Sequence, residues 1–276
     1  MSIENTSKQK QLQKAQLKIA REIKRICEKN NINYFLDGGS MLGAIRHKGF
    51  IPWDDDMDIG MLDEDYNKFL EVAPKELGKE FFLDNYETNK EYGLVFSKVK
   101  LKNTIYREKL GPVLAEHQEI FVDVFPYFYR PENDKDRKKQ SNKLRILSQI
   151  LMAQSGFKVW KGNRGISKLK FVPIILLAKI LNKEKVYNKQ KTIYNECKNS
   201  SIVGVHDGVS YNYWYFKKSY LEKFIDAEFE NEKFKIPANY HEILTTGYGD
   251  YMKLPPVEER RTHDILELDL GNINDL

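Results

Sequence analysis

Cysteine is scarce in this chain, and so is any long apolar stretch. Cys27 and Cys197 are the only two cysteines in 276 residues. Their separation suits neither a disulfide framework nor a metal motif, so both are expected to be small buried thiols. The most apolar run, FVPIILLAKIL from Phe171 to Leu181, falls well short of the roughly 20 residues that span a bilayer. No apolar segment follows the early lysines, which argues against a secretory signal peptide. Internal repeats and low-complexity segments are also missing. Together these absences lead to the expectation of a soluble cytoplasmic protein, with peripheral contact at the inner face of the membrane as its one route to lipid.

What is present is enough for a folded core. Hydrophobic residues make up 41% and aromatics 12%, sufficient for one large domain or two modest ones and too much for wholesale disorder. The net charge of +5 conceals an asymmetry. From Lys135 to Lys191 there are 16 Lys or Arg against 2 acids, or +14, which leaves 29 bases and 38 acids, or −9, elsewhere. Such a block faces a polyanion or an anionic membrane, unless it is merely a solvated surface.

Periodicity gives the outline. Leu12, Ala15, Ile19, Ile23 and Ile26 recur every three or four residues, which predicts an amphipathic helix over 9–30. A short strand at Tyr34–Leu36 runs into Gly38-Gly39, and Ser40 is placed to cap a helix through Arg46. Met57 and Ile59 alternate with Asp56 and Asp58 as in a strand, and Asp63 is expected to cap the helix that follows. Further strands are expected around 81–85, 94–100 and 119–125, basic helices over 133–195, and mixed, aromatic-rich structure over 201–265. The fold class is therefore α+β, divided into a catalytic core at 1–130, a basic helical insertion at 131–200 and a C-terminal region at 201–276 that completes the site.

The crowding of Asp54, Asp55, Asp56 and Asp58 requires an explanation, because like charges this close repel. A calcium loop would want Gly at its sixth position and Glu at its twelfth; counted from Asp54 these are Ile59 and Asp65, so that reading fails. A solvated acidic loop does not explain the apolar residues between the acids. Carboxylates at i and i+2 of a strand share a face, so Asp56 and Asp58 can grip one hard cation, Mg²⁺ or Mn²⁺, whose charge offsets the repulsion. Asp123, set between Val122 and Val124, supplies a third carboxylate from another strand; an acid there is costly without a partner or a role. Gly38, Gly39 and Ser40 present backbone N–H groups able to cradle a phosphate.

The pattern of a Gly-Gly-Ser turn, an acidic pair and a separate strand acid resembles the nucleotidyltransferase superfamily. The longer string GGSMLGAIRHKGFIPWDDDMDIGM resembles the LicD family, as do SKVKLKNT (97–104), FVDVFP (121–126) and YGDYMKLPPVEERRTH (248–263). Between Ser40 and Asp56 lie 15 residues, more than the superfamily's general spacing, and they hold the LicD-type RHKGFIPW. The resemblance implies a nucleotidyltransferase-like mixed sheet. It also implies metal-dependent transfer of phosphocholine from CDP-choline to a sugar hydroxyl of a lipid-linked glycan precursor, either teichoic acid or lipopolysaccharide. Transfer of ribitol or glycerol phosphate from its CDP donor, and nucleotidyl transfer from an NTP, stay open as alternatives; nucleic acid is not an expected partner.

Within that reading Asp56, Asp58 and Asp123 hold the metal, and Asp123 can also accept the proton of the attacking hydroxyl. Asp54 and Asp55 are left outside the metal shell. Arg46, His47, Lys48, Lys98, Arg260 and His263 are candidate contacts for the donor's phosphates. Trp53, Tyr211, Tyr213 and Trp214 are candidate faces for a quaternary ammonium, although an aromatic cluster serves equally well as core. FVPIILLAKIL with its flanking lysines resembles an interfacial helix.

Overall fold

The computed structural model describes residues 6–109, 117–157, 169–205, 214–260 and 262–271. The first predicted helix is α1, Thr6–Lys29, and its five periodic apolar residues are all fully buried. The leucine and the three isoleucines are each worth about 1.5–3 kcal/mol on leaving water, which is what holds this helix to the rest of the molecule.

A mixed sheet forms the centre. Strand β1 (Phe35–Leu36) pairs antiparallel with β2 (Asp58–Leu62), and β2 runs parallel to β6 (Phe121–Arg130). On its other side β6 pairs antiparallel with β4 (Ser97–Leu101), which pairs with β3 (Phe81–Asp84). The far end of β6 continues the sheet through β7 (Ile202–Gly204) and β8 (Tyr215–Lys217). Residues on both sides of the basic block thus share one sheet and one core, which bears out the α+β class. Strands β5 (Ile105–Glu108) and β11 (Ile265–Asp269) pair separately, as do β9 (Phe224–Phe229) and β10 (Glu232–Pro237). The basic block forms α4 (Asp134–Gln154), α5 (Val172–Ile180) and α6 (Lys183–Tyr194).

Two capping expectations are corrected. Helix α2 spans Gly38–His47 and its cap is Asp37, whose side chain accepts from Gly38 N at 2.8 Å; Ser40 lies within the first turn. Helix α3 spans Asp63–Glu76 with Leu62 at the cap position, so Asp63 is its first residue, one of three acids facing the positive end of the helix dipole. Cys27 is buried as expected, whereas Cys197 is only half-buried.

The hairpin β9–β10 packs against α2 through β9. Its two-residue turn, Glu230-Asn231, has φ of 51° and 65° at the two positions, the left-handed geometry that twists with the strands. Glu230 adopts it while donating its N–H to Lys48 O at 2.9 Å and accepting from Phe50 N at 3.1 Å. The last α-helix among the described residues, α7 (Tyr240–Tyr248), leads into the C-terminal segment whose strand β11 pairs with β5.

A carboxylate cluster as the candidate active site

The site follows from strand register. Asp58 begins β2 and Asp123 is its partner on the parallel neighbour β6. Register partners on adjacent strands point to the same face about 4.8 Å apart, so the topology sets two acids from distant segments side by side. Asp123 N is also bonded to Met57 O at 3.1 Å. Asp56 sits in the loop just before β2 rather than within the strand, and the Asp54, Asp55 and Asp56 ligand atoms all lie within 4.8 Å of one another. Asp54 and Asp55, both left outside the metal shell in the sequence reading, therefore group tightly with Asp56, while Asp58 and Asp123 adjoin that group through the strand register rather than within it.

The glycines of the turn make room for these acids. A Cβ on Gly39 would lie 2.8 Å from Asp54 Oδ2, and one on Gly38 would lie 3.4 Å from Asp58 Oδ2. Gly38 itself has φ of +50°. Two carboxylates thus lean on the N-terminus of α2, where the N–H groups of Gly39 and Ser40 precede the first helical bond, from Met41 N to Asp37 O. Ser40 Oγ accepts from Asp58 N at 2.9 Å and ties that helix turn to the strand carrying the acid. Asp37 is anchored in turn by the Tyr127 hydroxyl at 2.7 Å.

Few cations balance the cluster. Burial raises the Asp58 carboxyl far above its usual range, and Asp56, Asp123 and Asp37 push it the same way. Burial also raises Asp56, and it takes Asp54 up to about 8 with help from Asp56. Asp123 is pushed up to about 6 by burial, against the pull of Lys98. Lys98 is the register partner of Asp123 on β4, its Nζ 2.7 Å from Asp123 Oδ1 and 3.1 Å from the centre of the Phe121 ring. This lysine, expected to meet a phosphate, is thus engaged by Asp123.

The remaining predicted residues are distributed as follows. His263 Nδ1 lies 2.9 Å from Asp55 Oδ1 and 3.8 Å from Asp56 Oδ2, and its own N–H donates to Asp55. The Asp55 bond lifts the imidazole pKa to about 9, so the ring is charged at neutral pH. Arg46 donates to Tyr251 O at 2.9 Å and to His47 Nε2 at 3.0 Å, and Lys48 stands exposed at the far end of α2. Arg260 covers the Trp53 ring at 4.3 Å, while Trp214 packs edge-on against Tyr248. Arg260 thus lies over one face of the Trp53 ring. Tyr211 and Tyr213 lie outside the described residues.

Other residues at the site escaped the sequence reading. Gln9 and Gln13 donate to Asp54 O at 3.1 and 2.9 Å, and Gln16 donates to Asp55 O at 2.8 Å. They form one polar stripe on α1, and the signal was available: Gln16 falls among Leu12, Ala15 and Ile19 and is only 1% exposed. Replacing Gln16 with Leu is expected to cost about 1–3 kcal/mol, because a buried carbonyl loses its donor. Urea denaturation measures this, and an unchanged or higher midpoint would sink the assignment. Tyr106 also reaches Asp55, with its hydroxyl 3.4 Å from Oδ2. Beyond Lys98 opens a cavity of about 600 Å³, lined in part by Tyr92, Tyr106, Glu108, Glu119, Phe121 and Gln154.

Known proteins share this arrangement of sequence. A family model described as LicD/FKTN/FKRP, nucleotidyltransferase domain, matches residues 31–147. Lipopolysaccharide cholinephosphotransferase LicD of Haemophilus influenzae is 32% identical over 244 residues, which cover 88% of this chain and 90% of that protein. Ribitol 5-phosphate transferase FKRP of Mus musculus is 32% identical over 111 residues, 40% of this chain and 20% of that one, and the Homo sapiens protein matches to the same extent. Similarity of that degree running nearly end to end with a LicD protein, over the very segments that build the carboxylate cluster, settles the relationship: the chain belongs to the LicD family.

Proposed function

We propose that this protein transfers phosphocholine from CDP-choline to a sugar hydroxyl of a lipid-linked glycan precursor, of the teichoic acid or lipopolysaccharide kind, and releases CMP. The observation that carries the proposal is the pairing of Asp58 with Asp123 across adjacent parallel strands, with Asp56 just ahead of the first. It is joined by the likeness to a cholinephosphotransferase over most of the chain.

The donor set fits a hard divalent cation. All candidate ligands are carboxylate oxygens; Asp123 is buried and Asp56 and Asp58 are half-buried, and desolvation and mutual repulsion hold them above their usual range. Asp56, Asp58 and Asp123 would hold Mg²⁺, or Mn²⁺, which when bound neutralises charge on the donor's diphosphate. Mg²⁺ characteristically combines one or two carboxylates with substrate phosphates and water.

The chain's own residues then bind, orient and take up a proton. The sugar oxygen attacks the phosphorus of the phosphocholine group, the bond from that phosphorus to the bridging oxygen of CMP breaks, and CMP leaves with the electron pair. Asp123 accepts the hydroxyl proton on the carboxylate that Lys98 holds through Oδ1. Transfer of this kind depends on positioning and charge more than on covalent help. The cavity is lined by the aromatic rings of Tyr92, Tyr106 and Phe121 and by Glu91 and Glu108, with Lys98 and Lys100 paired to Asp123 and Asp84. The aromatic faces and these two glutamates support a quaternary ammonium over a neutral polyol.

The decisive experiment incubates purified protein with Mg²⁺ and CDP-choline, CDP-ribitol or CDP-glycerol and a glycan acceptor, scoring CMP. Release with CDP-choline is expected to exceed that with the polyol donors by about tenfold or more, as one good cation–π contact allows, and EDTA should abolish it. A preference for CDP-ribitol would overturn the choline assignment. Turnover that survives EDTA would overturn the metal assignment.

A further inference from the structure

Helix α5 is apolar on the side that faces away from the protein. Its inner side packs Ile174 against Ile150, Leu151 and Val186, with Ala178 beside them. At about 100° per residue, Val172, Leu176, Ile180, Pro173 and Leu177 sweep an arc of roughly 140° on the opposite side. Among the described residues, the large apolar side chains on and beside this arc, from Leu169 to Leu181, are between 38% and 78% exposed. An apolar surface of this continuity is uncommon on a soluble protein without a partner.

Charge and length identify what covers it. Lys170 and Lys179 stand exposed beside the arc, within the block that carries +14. A second copy would bring two such blocks face to face, and that repulsion disfavours self-association. An anionic bilayer offers both halves of the match: acyl chains for the leucines and isoleucine, and phosphates for the lysines, worth about 1 kcal/mol per basic residue. The helix is about 14 Å long, under half of a ~30 Å hydrocarbon core, and no helix among the described residues is long and apolar enough to cross a membrane. It can lie in the interface and cannot span it.

We infer that α5 is a docking face for an anionic phospholipid surface. It also stands next to the cavity. Gln154, at the end of α4, lines the cavity and donates from Nε2 to Ala178 O at 3.0 Å and to Leu181 O at 2.8 Å, fastening the end of α5. Docking through α5 therefore brings the cavity wall to the lipid surface, where a lipid-linked acceptor presents its sugar. That last link rests on the proposed transferase reading; the docking itself does not.

The test is cosedimentation of the full chain with vesicles of phosphatidylglycerol and phosphatidylcholine, set against phosphatidylcholine alone. Binding is expected on the anionic vesicles and should weaken as salt shortens the screening length below about 5 Å. The double variant Leu176→Asp, Ile180→Asp changes two exposed positions, so circular dichroism and thermal melting should match the parent. Its vesicle affinity is expected to fall by about tenfold or more, while CMP release with a soluble acceptor is retained. Failure of the parent to bind, binding indifferent to the double variant, or an oligomer that the variant dissociates without changing vesicle affinity would each overturn the inference. A parent that binds vesicles but releases no CMP would leave the docking face standing and remove the transferase reading.

Discussion

Asp58→Asn and Asp123→Asn are each expected to lower CMP release by on the order of a thousandfold while leaving the protein folded. The two losses should not multiply in the double variant, because the carboxylates act as one unit. The more discriminating expectation concerns stability. Asp58 has its folded pKa raised by burial and by Asp56 and Asp123. With the folded value above the unfolded one, the folded state takes up the proton more readily. The carboxyl's favourable contribution is thus complete below the ordinary carboxylate range and is lost as pH rises through the folded pKa. At neutral pH and without metal the charge is a liability, so Asp58→Asn should melt at a higher temperature than the parent in EDTA. Added Mg²⁺ should raise the parent's melting temperature and leave the variant's nearly unmoved. An Asn variant with turnover within a few-fold of the parent would show that the acids do not perform the chemistry.

The second large effect is expected at Lys98. Its ammonium meets Asp123 at 2.7 Å, and both side chains are nearly buried, 10% and 12% exposed. Lys98→Met keeps most of the length and packing against Phe121 but leaves a buried carboxylate without its cation. Lys98 lowers the Asp123 pKa from the level that burial alone would set, so its removal shifts the acid limb of kcat/KM to higher pH. Turnover at neutral pH should fall by about a hundredfold or more, and Lys98→Arg should recover part of it. A pH profile unmoved by Lys98→Met would leave the lysine as packing only.

Much of this site was legible in the sequence because it rests on local patterns. The three-and-four spacing of Leu12 to Ile26 could only make one buried helix face, and an acid between Val122 and Val124 stood out on a strand otherwise apolar there. One misplacement came where two polar residues competed for one task. Ser40 and Asp37 are both good caps, and Asp37 takes the position because Tyr127, ninety residues away, fixes its carboxylate. Nothing local reveals that Asp54 leans on Gly39, that His263 pairs with Asp55, or that Arg46 holds the backbone at Tyr251. Those contacts join segments far apart in the chain, and only the sheet topology brings them within reach. Tyr248 belongs with them, since its hydroxyl stands 3.8 Å from where a Cβ on Gly38 would lie.

Strand β6 carries Asp123 near its start and hands the chain to α4 at its end, and α4 returns to place Ala153, Gln154 and Ser155 on the cavity. Strand and helix together act as a bracket, so the basic segment, though it reads as an inserted piece, is masonry in the wall of the cavity beside Lys98. A shortened relative lacking 135–191 would lose that wall along with its lysines, and would have to close the cavity with other parts of the chain.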